Sequence, residues 1–318
     1  MPKTQGRVRR VPPPLREMRT RYRALRQRRQ SRRRYHESQA IIGTFSAALR
    51  LWIRGSLIGL SLVFVWILWM ATAPIGWITR WHRRPIRRAL LRVWGHFVLW
   101  IMNVRVEVTG TPPKPPYFLV CNHLSYVDTF VLCHQLGPVF IAMAEMSTWP
   151  LMGRMMRTSQ QLFIDRNASR DVARALANIH QVLDEDDGII VFAEARCSRG
   201  ITVLPFKPAL IEAAAMRHTP VHYATLSYRT PPGTPAAGDA VVWWRWESFG
   251  PHANRLLRLP GFTATVHFGD QPVPASNRKV MARQLHEAVI QKFVPIQQGV
   301  LPELPAPPDV PKVYGESE

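Results

Sequence analysis

An uncharged, strongly apolar stretch covers residues 55–78, between Arg54 and Arg80. Leucine, isoleucine, valine, phenylalanine and tryptophan make up most of it. If the stretch is helical, a rise of about 1.5 Å per residue makes it roughly 36 Å long, enough to cross the hydrocarbon core of a bilayer. The pattern therefore predicts an N-terminal membrane-embedded helix.

A second, amphipathic helix is predicted directly after this stretch. Six arginines are followed by apolar residues at helical spacing: Arg80, Arg83, Arg84, Arg87, Arg88 and Arg92, then Trp94, Phe97, Val98 and Ile101. A helix of this kind typically lies in the membrane interface. Because arginines flank both ends of the first helix, the positive-inside rule leaves two topologies open. Either the two helices dip as a wedge into one leaflet, or the first helix spans the bilayer.

From Val104 onward, short β-branched and aromatic runs alternate with amphipathic stretches. Strands are predicted at residues 104–108, 117–120, 139–143, 162–164, 189–192, 221–226, 240–246 and 262–268. Helices are predicted at residues 126–135, 150–158, 170–183, 208–217 and 277–293. Alternation with short connections predicts an α/β fold in which a mixed, largely parallel sheet is flanked by helices.

Composition divides the chain into four regions. These are a basic arm (1–38), the membrane helices (39–103), the α/β domain (104–296) and a Pro-rich tail (297–318). The formal net charge of +21 attracts polyanions, which leaves nucleic acid and anionic lipids as candidate partners. We expect anionic membrane lipids, and no nucleic acid, because the arm adjoins a membrane segment.

The three cysteines are Cys121, Cys133 and Cys197, and they have neither metal-ligand nor redox spacing. Their odd number argues against a disulfide framework and fits a reducing compartment. We therefore predict no metal and no cofactor. The expected location is the cell membrane, with the catalytic domain on the cytoplasmic side.

His123 follows a short apolar run and is itself followed, five residues later, by Asp128. A histidine at the end of a buried strand, with a carboxylate in reach, can remove a proton from an alcohol at neutral pH. The spacing alone also fits a structural interpretation. Ser125 and Asp128 could form a capping box at the start of the next helix, with His123 as an ordinary strand-end residue.

Further polar segments follow apolar strands downstream, where α/β folds place their active sites. They are Leu-Phe-Ile-Asp-Arg at 162–166, Phe-Ala-Glu-Ala-Arg-Cys-Ser-Arg-Gly at 192–200, Leu-Pro-Phe-Lys at 204–207 and Thr-Pro-Val-His-Tyr-Ala at 219–224. In this order, after Asn122-His123-x4-Asp128, they resemble the blocks of the glycerolipid acyltransferase family. That family includes the 1-acylglycerol-3-phosphate acyltransferases, and the resemblance extends over about residues 80–294.

The third block departs from the family pattern. Ala193 replaces a proline and Ala195 a glycine, while Cys197 stands where many members carry a phosphate-binding arginine. Arg196 lies one position earlier. The Leu-Pro-Phe-Lys extension is similar to bacterial members that acylate lysophosphatidic acid or lyso-ornithine lipid. The departures therefore bear on the acceptor rather than on the type of reaction.

The resemblance implies an O-acyltransferase in which His123 is the general base and Asp128 orients its ring. Candidate substrate-binding residues are Arg166, Glu194, Arg196, Ser198, Arg199 and Lys207. An acyl-enzyme at Cys121 is conceivable, but a cysteine in an apolar strand is more often a small core residue. Glu194 could orient Arg196, contact the acceptor or form a structural pair with an arginine.

The implied acyl donor is acyl-CoA or acyl carrier protein, and the implied acceptor is a lysophospholipid. The simplest acceptor is 1-acylglycerol-3-phosphate, and lyso-ornithine lipid or another lysolipid is the alternative. A protein of a different class also fits the residues alone. It would be a non-catalytic basic protein that binds membranes or nucleic acid, with His123 and Asp128 in a structural role.

Overall fold

The computed structural model describes residues 44–72, 74, 83–149, 151–164, 169–245 and 247–299. The basic arm, Arg80, Asp165, Arg166 and Trp246 lie outside the described residues, as does the tail from residue 300.

The N-terminal helix α1 (Phe45–Ala71) begins ten residues earlier than the sequence pattern predicts. Thr44 caps it, and its side-chain oxygen accepts a hydrogen bond from the backbone N–H of Ala47 at 3.3 Å. Among the described residues, α1 is the one helix long and apolar enough to cross a membrane. Helix α2 (Arg83–Ile101) then carries the predicted apolar residues and the predicted arginines from Arg83 onward.

Arg54 lies inside α1 and docks the helix on the α/β domain, although the sequence pattern places it at the membrane boundary. Its guanidinium donates to the carbonyl oxygens of Leu257 (3.2 Å) and Pro260 (3.2 Å), and also to that of Leu259. The carbonyl groups at the end of a helix have no partner within the helix, so a cation is favourable there. The side chain is consequently only 8% exposed.

The other end of α1 is docked as well. The indole N–H of Trp66 donates to the Thr158 hydroxyl at 3.2 Å, and that of Trp69 donates to the Thr158 carbonyl at 2.8 Å. Helix α1 therefore lies along the domain instead of projecting away from it.

The α/β domain is built on a seven-stranded sheet with the order β1-β7-β6-β2-β5-β3-β4. Its strands are β1 (Val104–Thr109), β2 (Tyr117–Cys121), β3 (Val139–Met143), β4 (Leu162–Ile164), β5 (Gly188–Phe192), β6 (Val221–Arg229) and β7 (Phe262–Phe268). Only the β6–β7 pair is antiparallel among the described pairs. The predicted mixed, largely parallel sheet is confirmed.

Helices cover both faces of the sheet. They are α3 (Val127–Leu136), α4 (Met152–Thr158), α5 (Ser169–Asp184), α6 (Glu212–Met216), α7 (Ala237–Ala240), α8 (Phe249–Arg258) and α9 (Arg278–Lys292), with 3-10 turns at Ala144–Thr148 and Pro208–Leu210. Side chains alternate across the strands, so β2 contributes Leu119 to the core on one face and Phe118 to the core on the other.

Two predicted elements differ from the structure. Residues 240–246 are not a strand over the part that is described: α7 ends at Ala240, and residues 241–245 are irregular. The backbone N–H of Trp243 donates instead to the Leu124 carbonyl at 2.8 Å, beside the predicted site. The helix predicted at 208–217 is split into a 3-10 turn and α6.

Helix α2 packs closely on α3. At Gly95 of α2, an added Cβ would lie 2.7 Å from the His134 nitrogen and 2.8 Å from the Phe130 oxygen. A larger residue would therefore separate the two helices. Since α3 begins within four residues of His123, this packing bears on the predicted active site.

Candidate active site

The predicted base lies at the carboxyl end of the central strand β2. Cys121, the last residue of β2, is paired in register with Phe192 of the parallel neighbour β5. His123 lies two residues beyond Cys121, and Glu194 lies two residues beyond Phe192. The two residues are therefore adjacent where the strands end. The edge at which parallel strands end is where α/β proteins bind ligands.

Asp128 holds the His123 ring from the first turn of α3. Its Oδ2 accepts a hydrogen bond from Nδ1 of His123 at 2.7 Å, and also from the backbone N–H groups of Leu124 (2.7 Å) and Ser125 (3.0 Å). The carboxylate is fully buried. The chain turns directly from β2 into α3, so these contacts form within six residues.

The contacts of Asp128 fit both the structural interpretation of this segment and the catalytic hypothesis. Asp128 accepts from the backbone of Ser125, as the distal residue of a capping box does, while the Ser125 hydroxyl accepts from Val127 N at 3.4 Å. The same carboxylate also accepts a hydrogen bond from the His123 ring. Capping the helix and orienting His123 are therefore compatible.

Tyr228 is a further member of the site that sequence reasoning missed. Tyr228 lies near the end of β6, 100 residues after Asp128 in the chain. Its hydroxyl donates a hydrogen bond to Oδ1 of Asp128 at 2.5 Å. Burial, then the nearby Asp128 carboxylate, raises the pKa of Tyr228 well above its usual value, so the phenol keeps its proton. No local pattern marks a tyrosine in an ordinary strand as a partner of Asp128.

The His123 ring is stacked on Phe192, with ring centroids 4.0 Å apart and planes 15° from parallel. Its side chain is 21% exposed, so one ring edge remains accessible. Burial disfavours the imidazolium, but the neighbouring Cys197 and Asp128 side chains raise the pKa of His123 to about 10. Phe192 and Asp128 position the ring.

The Glu194 carboxylate accepts hydrogen bonds from the backbone of the site rather than from a side chain. One carboxylate oxygen accepts from His123 N at 2.7 Å and the other from Leu204 N at 2.8 Å. The residue is 2% exposed, and burial raises the pKa of its carboxyl group to about 7 against these two hydrogen bonds. Both of its oxygens thus bind backbone N–H groups instead of the arginine that the sequence suggested as a partner.

The loop after β5 is bound to the base on one side and to the C-terminal segment on the other. Ser198 N donates to the His123 carbonyl at 2.8 Å, and its buried hydroxyl accepts from Gly200 N at 3.3 Å. On the far side, Ile296 N donates to the Gly200 carbonyl at 2.7 Å, and Gln298 Nε2 donates to the Arg199 carbonyl at 2.9 Å. The tail predicted from residue 297 thus begins with residues that contact the domain.

Three of the predicted cationic residues lie around one cavity. Arg196 and Arg199 are exposed, and the Arg199 guanidinium lies 4.3 Å above the Trp244 ring. Lys207 is partly buried at the start of a 3-10 turn. All three line the cavity together with His123 and Glu194. Arg166 lies outside the described residues.

The cavity has a volume of about 2120 Å³. Its apolar walls come from α1, α2, α4 and the segments after β3 and β5, and include Ile58, Leu62, Trp66, Met146, Trp149, Met155 and Phe192. A lipid chain fits such walls, while polar groups are concentrated where the strands end. In the part of the chain that is described, no group of three or more histidine, cysteine or acidic residues could hold a metal ion.

Comparisons with known proteins find acyltransferases. Residues 104–227 match the family model described as Acyltransferase. The lyso-ornithine lipid O-acyltransferase of Rhizobium meliloti (strain 1021) is 28% identical over 251 residues, which is 75% of this chain and 85% of that protein. The 1-acyl-sn-glycerol-3-phosphate acyltransferase of Neisseria meningitidis serogroup B is 33% identical over 129 residues, 40% of this chain and 50% of that protein.

A solved structure shares the fold. It is the 1-acyl-sn-glycerophosphate (LPA) acyltransferase, PlsC, from Thermotoga maritima, with a TM-score of 0.53 and 19% sequence identity over 76% of this chain and 96% of that chain. At this identity the likeness concerns the fold alone.

Proposed function

We propose that this chain, whose residues 104–227 match the family model described as Acyltransferase, transfers a fatty acyl group from an acyl thioester to the hydroxyl of a lysophospholipid. The simplest acceptor is 1-acylglycerol-3-phosphate. The observation that carries the proposal is the 2.7 Å contact between His123 Nδ1 and Asp128 Oδ2 beside a large apolar cavity.

His123 is the general base in this proposal. Acyl transfer to an alcohol requires that the hydroxyl proton leave as the oxygen attacks the carbonyl carbon. With Nδ1 held by Asp128, Nε2 is the nitrogen that accepts the proton. The buried carboxylate fixes the tautomer and stabilises the imidazolium that forms. Glu194 is a positioning residue that holds the backbone of His123 at the strand end.

The cationic residues beside the base would bind the acceptor head group. Arg196, Arg199 and Lys207 line the same cavity as His123, and Arg166 follows β4 in the sequence. Guanidinium groups match the geometry of a phosphate, and lysine adds a point charge. Ser198 holds the loop that carries two of these arginines.

Lyso-ornithine lipid is the second candidate acceptor. Cys197 stands where the family pattern has a phosphate-binding arginine, and this removes one expected contact to a phosphate. The alignment with the Rhizobium meliloti lyso-ornithine lipid O-acyltransferase also covers 75% of this chain, against 40% for the Neisseria meningitidis protein. The two acceptors share a lipid chain and a free hydroxyl, so one mechanism serves both.

The two N-terminal helices would hold the cavity at the membrane surface. Their outward faces are apolar and exposed at Phe45, Trp52, Leu60, Phe64, Ile67, Val93, Phe97 and Trp100. Since α1 is docked to the domain near both ends, the wedge in one leaflet fits better than a span. The domain would then lie on the cytoplasmic side, with the exposed Arg92 of α2 near anionic lipids. Arg84, Arg87 and Arg88 pair instead with Glu185 and Asp187 of the domain.

The test is a transfer assay with purified full-length protein. It combines palmitoyl-CoA and palmitoyl-acyl carrier protein as donors with 1-acylglycerol-3-phosphate and lyso-ornithine lipid as acceptors. We expect ester product from at least one pair and its loss in His123→Ala, while the matched control His218→Asn, at an exposed histidine, keeps the wild-type rate. Absence of product from every pair, or an undiminished rate in His123→Ala, would contradict the proposal.

A further inference from the structure

We propose that Asn122 is a positioning residue for acyl transfer. Its side-chain amide anchors β6 at the point from which Tyr228 reaches Asp128, and that carboxylate in turn holds the ring of the base. This inference rests on the proposed function, because it assigns a role within that reaction. Asn122 is fully buried and does not line the cavity, so it acts without touching a substrate.

The Asn122 side chain makes the hydrogen bonds of a backbone peptide group. Its Oδ1 accepts from Leu226 N at 2.7 Å, and its Nδ2 donates to the Leu226 carbonyl at 3.0 Å. Strand β2 pairs with β6 as far as Cys121, which faces Ala224. Leu226 lies two residues beyond Ala224, so the amide continues the connection after the backbone pairing of the two strands has ended.

The backbone groups that come next in the chain bond to other segments. His123 N donates to Glu194 at 2.7 Å, and the His123 carbonyl accepts from the loop after β5 at 2.8 Å. Leu124 N donates to Asp128 at 2.7 Å, and the Leu124 carbonyl accepts from the irregular segment after α7 at 2.8 Å. Each of these groups has a partner outside β6, and the side-chain amide connects β2 to β6 instead.

The anchor at Leu226 bears directly on Tyr228. Side chains alternate along a strand, so the two residues lie on the same face of β6, and both belong to the core on that face. They are separated by about 7 Å along the strand. The Tyr228 hydroxyl lies 2.5 Å from Oδ1 of Asp128, and a hydrogen bond weakens steeply when its geometry is disturbed. A displacement of Leu226 would therefore weaken the contact between Tyr228 and Asp128.

Loss of the amide would displace this part of β6. Leu226 is fully buried, so its N–H and carbonyl groups would be left without these partners and away from water. Buried backbone groups are almost always paired, and these two could regain partners only if the strand moved. Asn122 thus acts on the base through Leu226, Tyr228 and Asp128.

The first test measures kcat and KM of full-length protein with the donor and acceptor that give product. A misplacement of about 1 Å far from the chemistry lowers rates on the order of 10²-fold, and we expect a loss of this size in kcat for Asn122→Ala. KM for both substrates should stay close to the wild-type values, because Asn122 does not line the cavity.

Ser227→Ala is the matched control. It removes a hydrogen bond from the adjacent residue of β6, whose hydroxyl donates to the Val294 carbonyl at 2.7 Å on the other side of the strand. This bond is not part of the connection to Asp128, so kcat should stay at the wild-type value. An equal loss of kcat in Ser227→Ala would mean that any weakening of β6 slows the reaction, and would overturn the inference.

The second test is a double-mutant cycle. Tyr228→Phe should lower kcat in the wild-type background and have no further effect in Asn122→Ala, because the contact it removes is already lost there. The same cycle is measured in the unfolding free energy by chemical denaturation, which does not depend on activity. If Asn122→Ala does not fold, Asn122→Ser replaces it in both cycles, since a serine hydroxyl can keep one of the two hydrogen bonds.

The outcomes separate this inference from the proposed function. Additive losses in the kinetic or the stability cycle, or a normal kcat in Asn122→Ala, would overturn the positioning role and leave His123 as the proposed base. A raised KM with an unchanged kcat would also overturn it, because Asn122 would then act on substrate binding. If the wild type gives no product with any donor and acceptor, the proposed function fails, and the stability cycle still decides whether Asn122 places Tyr228 on Asp128.

Discussion

Two buried carboxylates hold His123 from opposite sides, and they do so in different ways. Asp128 binds the ring, two backbone N–H groups and the Tyr228 hydroxyl. Glu194 binds only the backbone N–H groups of His123 and Leu204. Burial raises the pKa of Glu194 to about 7. One carboxylate thus orients the His123 ring, and the other joins two strand-end segments.

The difference shows how a site can separate chemistry from architecture. Removing the charge of Asp128 should change the rate of the proposed reaction, because Asp128 holds the ring that would accept the proton. Removing the charge of Glu194 should change stability and its dependence on pH, because it acts on the backbone. Four substitutions test this contrast.

The largest expected effect is that of Asp128→Asn on the rate. An amide cannot accept all the hydrogen bonds made by the carboxylate, and it no longer stabilises an imidazolium at His123. By analogy with the triad aspartate of serine proteases, kcat should fall on the order of 10³ to 10⁴-fold. Initial rates at saturating acceptor measure this. Asp184→Asn, at an exposed aspartate paired with Arg217, is the matched control.

If Asp128→Asn lost less than Glu194→Gln in kcat, the roles of the two carboxylates would have to be exchanged.

Glu194→Gln should act mainly on stability. The amide nitrogen cannot accept from a backbone N–H, so one of the two bound groups is left without its acceptor, at about 1–3 kcal/mol. In the wild type, the folded-state pKa of about 7 exceeds the ordinary value of 4.5. The stabilising contribution of this carboxyl group is therefore fully present below about pH 4.5 and is lost as the pH rises through 7.

We accordingly expect the unfolding free energy of the wild type to fall between pH 4.5 and 7 by up to about 3 kcal/mol from this group, and Glu194→Gln to lack that slope. Chemical denaturation at several pH values measures it. Glu287→Gln, at an exposed position on α9, should keep the wild-type slope. Equal slopes in the wild type and Glu194→Gln would show that the carboxyl group titrates normally.

A smaller effect is expected for Tyr228→Phe. This change removes the one hydrogen bond to Asp128 that comes from a distant part of the chain. Hydrogen bonds to charged groups contribute about 1.5–3 kcal/mol, and we expect the lower end because three donors remain on Asp128. Denaturation midpoints and kcat should both fall, kcat by much less than in Asp128→Asn. A loss of activity equal to that of Asp128→Asn would mean that the tyrosine takes part in the reaction.

The smallest expected effect is a gain, from Ala195→Gly. Ala195 follows Glu194 and has a φ of 64°, in the left-handed region that favours glycine. The conformation costs other residues about 1–2 kcal/mol, and the extra freedom of glycine in the unfolded chain offsets part of that. We expect a net gain of about 0.5–1 kcal/mol, seen as a higher melting temperature. A lower one would show that the alanine methyl group makes a compensating contact.

Contacts between near neighbours could be predicted from the sequence. The His123–Asp128 pair joins residues five apart, and it forms because β2 turns directly into α3. The strands of the sheet also carry clear apolar runs. The run at residues 240–246 was misassigned as a strand because its aromatic side chains favour strands locally. In the fold, the indole N–H groups of Trp243 and Trp244 donate to the Glu247 and Gly238 carbonyls outside any sheet.

By itself, the sequence determined the order of strands and helices, the apolar helix and the pairing of His123 with Asp128. Each of these depends on contacts within a few residues or on the periodicity of one element. Only the tertiary structure decided which distant groups meet: Arg54 with the end of α8, Glu194 with His123, and Tyr228 with Asp128. The physical reason is that strand register and helix docking bring these residues together. The side-chain pattern of a single segment encodes neither the strand register nor the helix docking.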